Sequence, residues 1–273
     1  MSASPAHVRC LAHGRARDGA ATAVLLHGLG SCADDWGLQL PALTPDRRVL
    51  TVDLPGHGPS PALPGWPGVA DFARPVAAAL DLEEPGPLHL VGLSLGGVVA
   101  LQMALERPDR LRSLTLVNAF ARLQPAPGGF GRSLVRLALL AFGPMRLLGA
   151  WVARGLFPRP DQAPLRRIAA QRLAANDRRA YLGALAAAAR FDVRARLGEI
   201  GCPVLVVAGE GDRTVPLACK LELARGVPGA RLEVLAGSGH ATPLDAAPVF
   251  NELVSGFLQA ADRAAAAGRA PTR

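Results

Sequence analysis

Six short apolar runs punctuate the chain, at residues 24–26, 48–52, 88–92, 114–117, 203–208 and 231–235. They are continuous and rich in valine and leucine, the pattern of a strand covered on both faces. Helical stretches separate them, including residues 69–80 and the apolar run 98–105. Strands alternating with helices predict an α/β fold, a mostly parallel sheet flanked by helices on both sides.

That rhythm stops between residues 121 and 198. No strand is legible there, and Pro144, Pro158 and Pro164 divide the segment into four helical stretches, 132–142, 144–157, 165–175 and 178–191. We read it as a helical cap over the carboxyl edge of the sheet. The organisation expected is therefore a core in two parts, residues 1–120 and 199–260, interrupted by a cap at 121–198. The Ala/Arg-rich tail 261–273 reads as disordered.

A chain of 273 residues, 50% hydrophobic and 19% charged, can bury a core as one domain with an insertion. No apolar run reaches the length needed to cross a bilayer, and the first nine residues have no apolar core of the signal-peptide kind. A cytoplasmic protein, monomer or homodimer, is expected. Cys10, Cys32, Cys202 and Cys219 lack metal-ligand spacing, so free thiols are expected, with no metal and no cofactor. Cys32 alone lies close to a loop of chemical interest. The net charge is +8 and is concentrated in the cap, where 14 arginines face three aspartates. Lys220 is the only lysine. The cap has few aromatics and no nucleic-acid motif, so its basicity does not point to nucleic acid.

The chemistry begins at Gly92-Leu93-Ser94-Leu95-Gly96, which fits G-x-S-x-G. An apolar strand runs into it and an apolar helix runs out, the setting of a nucleophile elbow that lifts Ser94 above the sheet edge. Ligands of open α/β sheets sit beyond the carboxyl ends of the strands. Two more polar residues follow such ends, Asp212 in the loop 209–216 and His240 in the loop 237–240. A serine hydroxyl needs a base to become a nucleophile. His240 would take its proton, and Asp212 would orient the imidazole and stabilise the imidazolium. Glu210 is the rival acid. The oxyanion would be held by the backbone N–H groups of Leu29, in His27-Gly28-Leu29-Gly30, and of Leu95. His27 is read as a structural residue of that loop.

These segments, together with the loop 53–60, make the chain resemble the α/β-hydrolase superfamily over nearly its whole length. Within it, the chain is similar to cap-bearing carboxylesterases and to enol-lactonases of aromatic-acid breakdown. The resemblance implies a structural role for Asp53 and His57. Haloalkane dehalogenases and epoxide hydrolases carry aspartate at the elbow, so Ser94 argues against both; cofactor-free haloperoxidases share the serine. The reading is a serine hydrolase of carboxylic esters, with an enol-lactonase as the alternative and a non-catalytic binding protein on the same fold as a further one. Its partner is a small-molecule ester or lactone. Phe142 and Trp151 in the apolar cap segment 134–157 are candidates for an acyl pocket, and Arg122 for an anionic substrate, with Arg132, Arg136 and Arg190 beside it. The same apolar segment suits weak contact with a lipid surface, without stable insertion.

Overall fold

Seven strands form one sheet in the order β1-β3-β2-β4-β5-β6-β7. They are β1 Cys10–His13, β2 Thr22–Leu26, β3 Val49–Val52, β4 Leu88–Leu93, β5 Leu111–Val117, β6 Val204–Gly209 and β7 Arg231–Leu235. All neighbouring pairs are parallel except β1 with β3. The computed structural model describes residues 8–124 and 129–268. The helices are α1 Leu40–Leu43, α2 Val69–Glu83, α3 Leu95–Glu106, α4 Gly129–Phe142, α5 Met145–Leu156, α6 Ala163–Ala174, α7 Arg178–Arg190, α8 Leu217–Gly226, α9 Thr242–Asp245 and α10 Ala247–Ala267.

The continuous apolar strands do what their composition requires. Along β2, Val24 and Leu26 join a core with Phe72, Val76 and Leu80 of α2, Val98 to Leu101 of α3 and Leu223 of α8. Ala23 and Leu25 point to the opposite face, where Phe250, Val254 and Leu258 of α10 cover them together with Trp36 and Leu43. The period of two thus feeds two layers of core. Each fully buried leucine contributes about 2 kcal/mol by leaving water.

Two features depart from the sequence reading. The edge strand β1 was not anticipated, because its half-exposed residues give no continuous apolar run and it gains its place only by antiparallel pairing, Cys10 opposite Val52. The tail expected to be disordered from residue 261 is helical to Ala267. Its apolar stripe of Phe250, Val254, Leu258 and Ala261 continues the packing past that point. The Asp262 carboxylate anchors it, accepting from Arg47 at 2.8 Å, His89 at 3.1 Å and the backbone of Ala21 at 3.2 Å. Residues 269–273 lie outside the described residues.

Helices α4 to α7 occupy the segment read as a cap. They have a small core of their own, Leu140, Leu148, Ala153, Leu173 and Tyr181, against which Leu29 of the sheet domain packs. Chain entry and exit are stitched where Val193 donates to Ala121 O at 3.1 Å. Arg172 of α6 reaches Asp35 at 3.3 Å, and Asn176 donates to Gly30 O at 3.1 Å. The cap therefore grips the loop that follows β2.

Candidate active site

Ser94 stands between β4 and α3 with φ 52° and ψ −112°, a left-handed conformation that a side chain adopts only under constraint. The constraint is visible around it. Ser94 N–H donates to Val117 O at 2.8 Å, and Ser94 O accepts from Val98 at 3.0 Å. A Cβ on Gly92 would fall 2.4 Å from Gly96 O, and one on Gly96 would fall 2.1 Å from Leu26 O. Only glycine lets strand, turn and helix approach this closely.

The same crowding sets the start of α3 against the end of β2. A Cβ on Gly96 would also lie 2.6 Å from His27 O, and one on Gly28 would lie 3.6 Å from Leu93 O. The segments carrying Leu29 and Leu95 are thus neighbours. Among the described residues, neither backbone N–H finds an acceptor. That of Leu95 opens α3, where the helix dipole favours negative charge.

Asp212 and His240 meet. His240 Nδ1 lies 3.0 Å from Asp212 Oδ2, with the carboxylate wholly buried and the imidazole 11% exposed. The loops are joined behind them by Gly211 N–H to Ser238 O at 2.8 Å. Asp212 Oδ1 accepts from the backbone of Thr214 at 2.8 Å and Val215 at 3.2 Å. Oδ2 also receives Lys220 Nζ at 2.7 Å. Burial alone would push this carboxyl up, but His240 and Lys220 outweigh it and hold it well below the usual carboxylate range. Glu210 accepts from Gly237 N–H at 3.2 Å and makes no hydrogen bond to His240 among the described residues. The Ser94 hydroxyl has no hydrogen-bond partner among the described residues, and the His240 ring is bonded to Asp212 and not to it.

Two groups that sequence reading passed over complete the site. Asn118, at the carboxyl end of β5, donates to His240 O and Thr242 Oγ1, each at 2.8 Å, and accepts from Gly209 N–H at 2.9 Å. A polar residue ending a central strand was the available signal. Lys220, the sole lysine, was the other. Beyond them, Asp245 supports the His240 loop by accepting from Ser238 and from Gly239 N–H, each at 2.7 Å.

The remaining residues sort by what they touch. His27 donates from Nδ1 to Gly28 O at 2.8 Å, while its Nε2 accepts Leu54 N–H at 3.0 Å. Both nitrogens are occupied, and burial pushes the ring down to about 4, so it supports the loop and is no base. Asp53 accepts Ala33 N–H at 2.8 Å and pairs with Arg9. His57 is buried and pushed down to about 3 by burial. Cys32 is buried beside Asp34 and Asp35, and burial raises its thiol above the ordinary value. Among the described residues, no three His, Cys, Asp or Glu side chains gather as a metal-ligand set.

The cap candidates need correction. Phe142 is 92% exposed at the end of α4 and faces solvent instead of an acyl group, because the apolar contacts of this helix pass through Leu139 and Leu140. Arg122 lies 4.0 Å from Asp192 at the base of the cap, a half-exposed contact in which Asp192 is held more closely by Arg194 at 2.8 Å. Arg136 binds the Tyr181 hydroxyl, and Arg190 donates to Pro67 O at 2.8 Å. The side chain of Arg132 lies outside the described residues. Trp151 on α5 is half-buried.

A family model described as the alpha/beta hydrolase family matches residues 23–253. A protein of Variovorax paradoxus that bears the name RutD carbamate hydrolase is 39% identical over 258 residues, 90% of this chain and 94% of the relative. The crystal structure of a hydrolase from Pseudomonas aeruginosa superposes with a TM-score of 0.83 at 31% identity, over 92% of this chain and 94% of that one. The enol-lactonase from Burkholderia xenovorans gives a TM-score of 0.84 at 25% identity, over 92% and 96%. No described helix is long and apolar enough to cross a membrane. With elbow, sheet order and matched segments in agreement, the chain belongs to the alpha/beta hydrolase family and is a hydrolase.

Proposed function

We propose that the protein cleaves carboxylic esters by acyl transfer through Ser94, His240 and Asp212. The observation that carries the reading is the 3.0 Å bond between the buried Asp212 carboxylate and His240 Nδ1. It leaves Nε2 as the basic nitrogen. In the first step Nε2 takes the Ser94 proton as Oγ bonds to the ester carbonyl carbon. The carbonyl π electrons move to oxygen, and the oxyanion is met by the N–H groups of Leu29 and Leu95. Two preorganised donors of this kind are worth about 3 kcal/mol each in comparable sites. The imidazolium then hands the proton to the departing alkoxide, leaving an acyl-serine. Water attacks next, with His240 again as base, and the acid leaves as Ser94 is regenerated. No step needs a metal or an organic cofactor.

Trp151 is the cap residue we assign to contact with the acyl group. Unpaired thiols at Cys10, Cys32, Cys202 and Cys219 support a cytoplasmic setting. The exposed apolar edge of α4 supports weak contact with a lipid surface. Carbamates are the second substrate class, favoured by the 39% identity to the relative named for that activity. The enol-lactone reading keeps its support from the 25% identical enol-lactonase. Turnover of short p-nitrophenyl esters, a carbamate and a carboxylated enol-lactone in parallel ranks the three. The test of the machinery is Ser94→Ala, expected to lower kcat by about a million-fold with folding intact. A tenfold loss or less, or failure of a fluorophosphonate to label Ser94, would refute it.

A further inference from the structure

Lys220 is the only lysine of the chain, and it is spent in the interior. Its side chain and that of Asp212 are both 0% exposed. Nζ lies 2.7 Å from Asp212 Oδ2, the oxygen that also faces His240 Nδ1 at 3.0 Å, and it donates in addition to Val215 O. Burying an ammonium is costly unless it is paired and hydrogen-bonded. Here the pairing falls on the one carboxylate that the proposed chemistry uses. An arginine, abundant elsewhere in the chain, would bring a planar fork that does not fit a single shared oxygen as a compact ammonium does.

We infer that Lys220 is a positioning residue for the Asp212–His240 pair. Its ammonium fixes the carboxylate in rotation and offsets part of the negative charge that faces the imidazole, so the imidazolium is stabilised less than by a lone aspartate. Two consequences follow from electrostatics. Asp212 stays ionised across the working range of pH, because the Lys220 ammonium and the His240 Nδ1–H both favour its charged form. The ammonium on the shared oxygen also opposes rotation of the carboxylate away from His240 Nδ1. Burial pulls the Lys220 ammonium down from its ordinary value while Asp212 acts to hold it up, so a charged Lys220 depends on the pair remaining intact.

Other charged or titratable groups lie on the elements packed around the pair. They are Glu210 and Arg213 in the loop after β6, Cys219 and Glu222 on α8, and Asp245 on α9, while Asn118 at the end of β5 is neutral. All of them are retained when position 220 is changed, so a shift between variants isolates the lysine.

The effect on turnover rests on the acyl-transfer reading; the effect on charge does not. A single lysine allows a measurement on the wild-type protein. Labelling with ¹³Cε-lysine gives one resonance from the folded chain, expected at the ammonium position near neutral pH and carrying an inflection that vanishes in His240→Gln. A free-amine shift at neutral pH would overturn the inference. In Lys220→Met, and in Lys220→Gln, which keeps a donor without the charge, the acid limb of the kcat/KM profile is expected to move up by about one pH unit. The His240 imidazole, followed by NMR in Ser94→Ala with and without Lys220→Met, is expected to move the same way. A folded variant with an unmoved acid limb and an unmoved imidazole titration would refute the role. If Ser94→Ala keeps its activity, the acyl-transfer reading falls, and the imidazole titration still decides the role of Lys220.

Discussion

The side-chain amide of Asn118 donates to the backbone carbonyl of His240 at 2.8 Å, tying the end of β5 to the loop that carries the imidazole. Asn118 sits at φ 46°, a left-handed conformation that asparagine tolerates better than most residues. Its Oδ1 accepts Gly209 N–H at 2.9 Å, so one side chain joins β5, β6 and the His240 loop. Asn118→Ala leaves these buried groups without partners, a destabilisation of about 1–3 kcal/mol. Displacement of the imidazole should lower kcat by about 100-fold. Thermal melting together with steady-state kinetics checks this, and a fully active variant with an unchanged melt contradicts it.

Gly96 is where the turn tolerates least. Its Cβ would meet Leu26 O at 2.1 Å, and that atom belongs to the central strand and cannot retreat. Gly96→Ala is expected to cost about 3 kcal/mol or more, lowering Tm by roughly 10 °C. Differential scanning calorimetry that finds Tm unchanged would show that helix and strand are further apart than described.

Three buried histidines, His27, His57 and His89, are all shifted downward by burial and make the fold acid-sensitive. Burial pushes His27 down to about 4 and His57 down to about 3, so both stay neutral in the folded protein while the unfolded chain protonates them near 6.5. Between those values the unfolded state binds more protons, so stability falls as pH falls. The loss begins below about pH 6.5 and reaches roughly 2 kcal/mol per histidine by pH 5. The Asp212 carboxyl is also shifted downward, so its contribution is present above the ordinary carboxylate value and is lost only as pH falls below it. Urea midpoints at pH 7 and pH 5 should differ accordingly; equal midpoints would mean that the rings are not held neutral.

The apolar edge of α4 predicts behaviour at a lipid surface. Leu134, Val135 and Leu137 are 50%, 42% and 50% exposed, and Phe142 is 92% exposed. Phe142→Asp should weaken sedimentation with anionic vesicles by about tenfold and leave hydrolysis of a water-soluble ester unchanged. Equal sedimentation of both proteins would remove α4 as the contact.

Local pattern carried most of the fold. Short apolar runs bounded by turn formers read as strands, so six of the seven strands were legible, although β7 proved to be a half-exposed edge, and the proline-divided interval between them read as helical. The elbow was legible too, because Gly92 and Gly96 flank Ser94 for a steric reason that operates within five residues. Asp212 and His240 could be singled out by following each strand to its carboxyl end. The edge strand β1 and the end of α10 were not legible. Cys10–His13 is a strand only because β3 lies beside it, and Asp262 is ordered only because Arg47 and His89 are near. The same holds for partners of charge. A lone lysine and a strand-end asparagine carry no chemistry in the linear chain. Lys220 and Asn118 meet the Asp212–His240 pair only when β5, β6 and α8 bring them to it, and Phe142 ends α4 in solvent instead of in a pocket. Periodicity and steric fit are local properties of a sequence, whereas burial and the pairing of charges belong to the packed molecule.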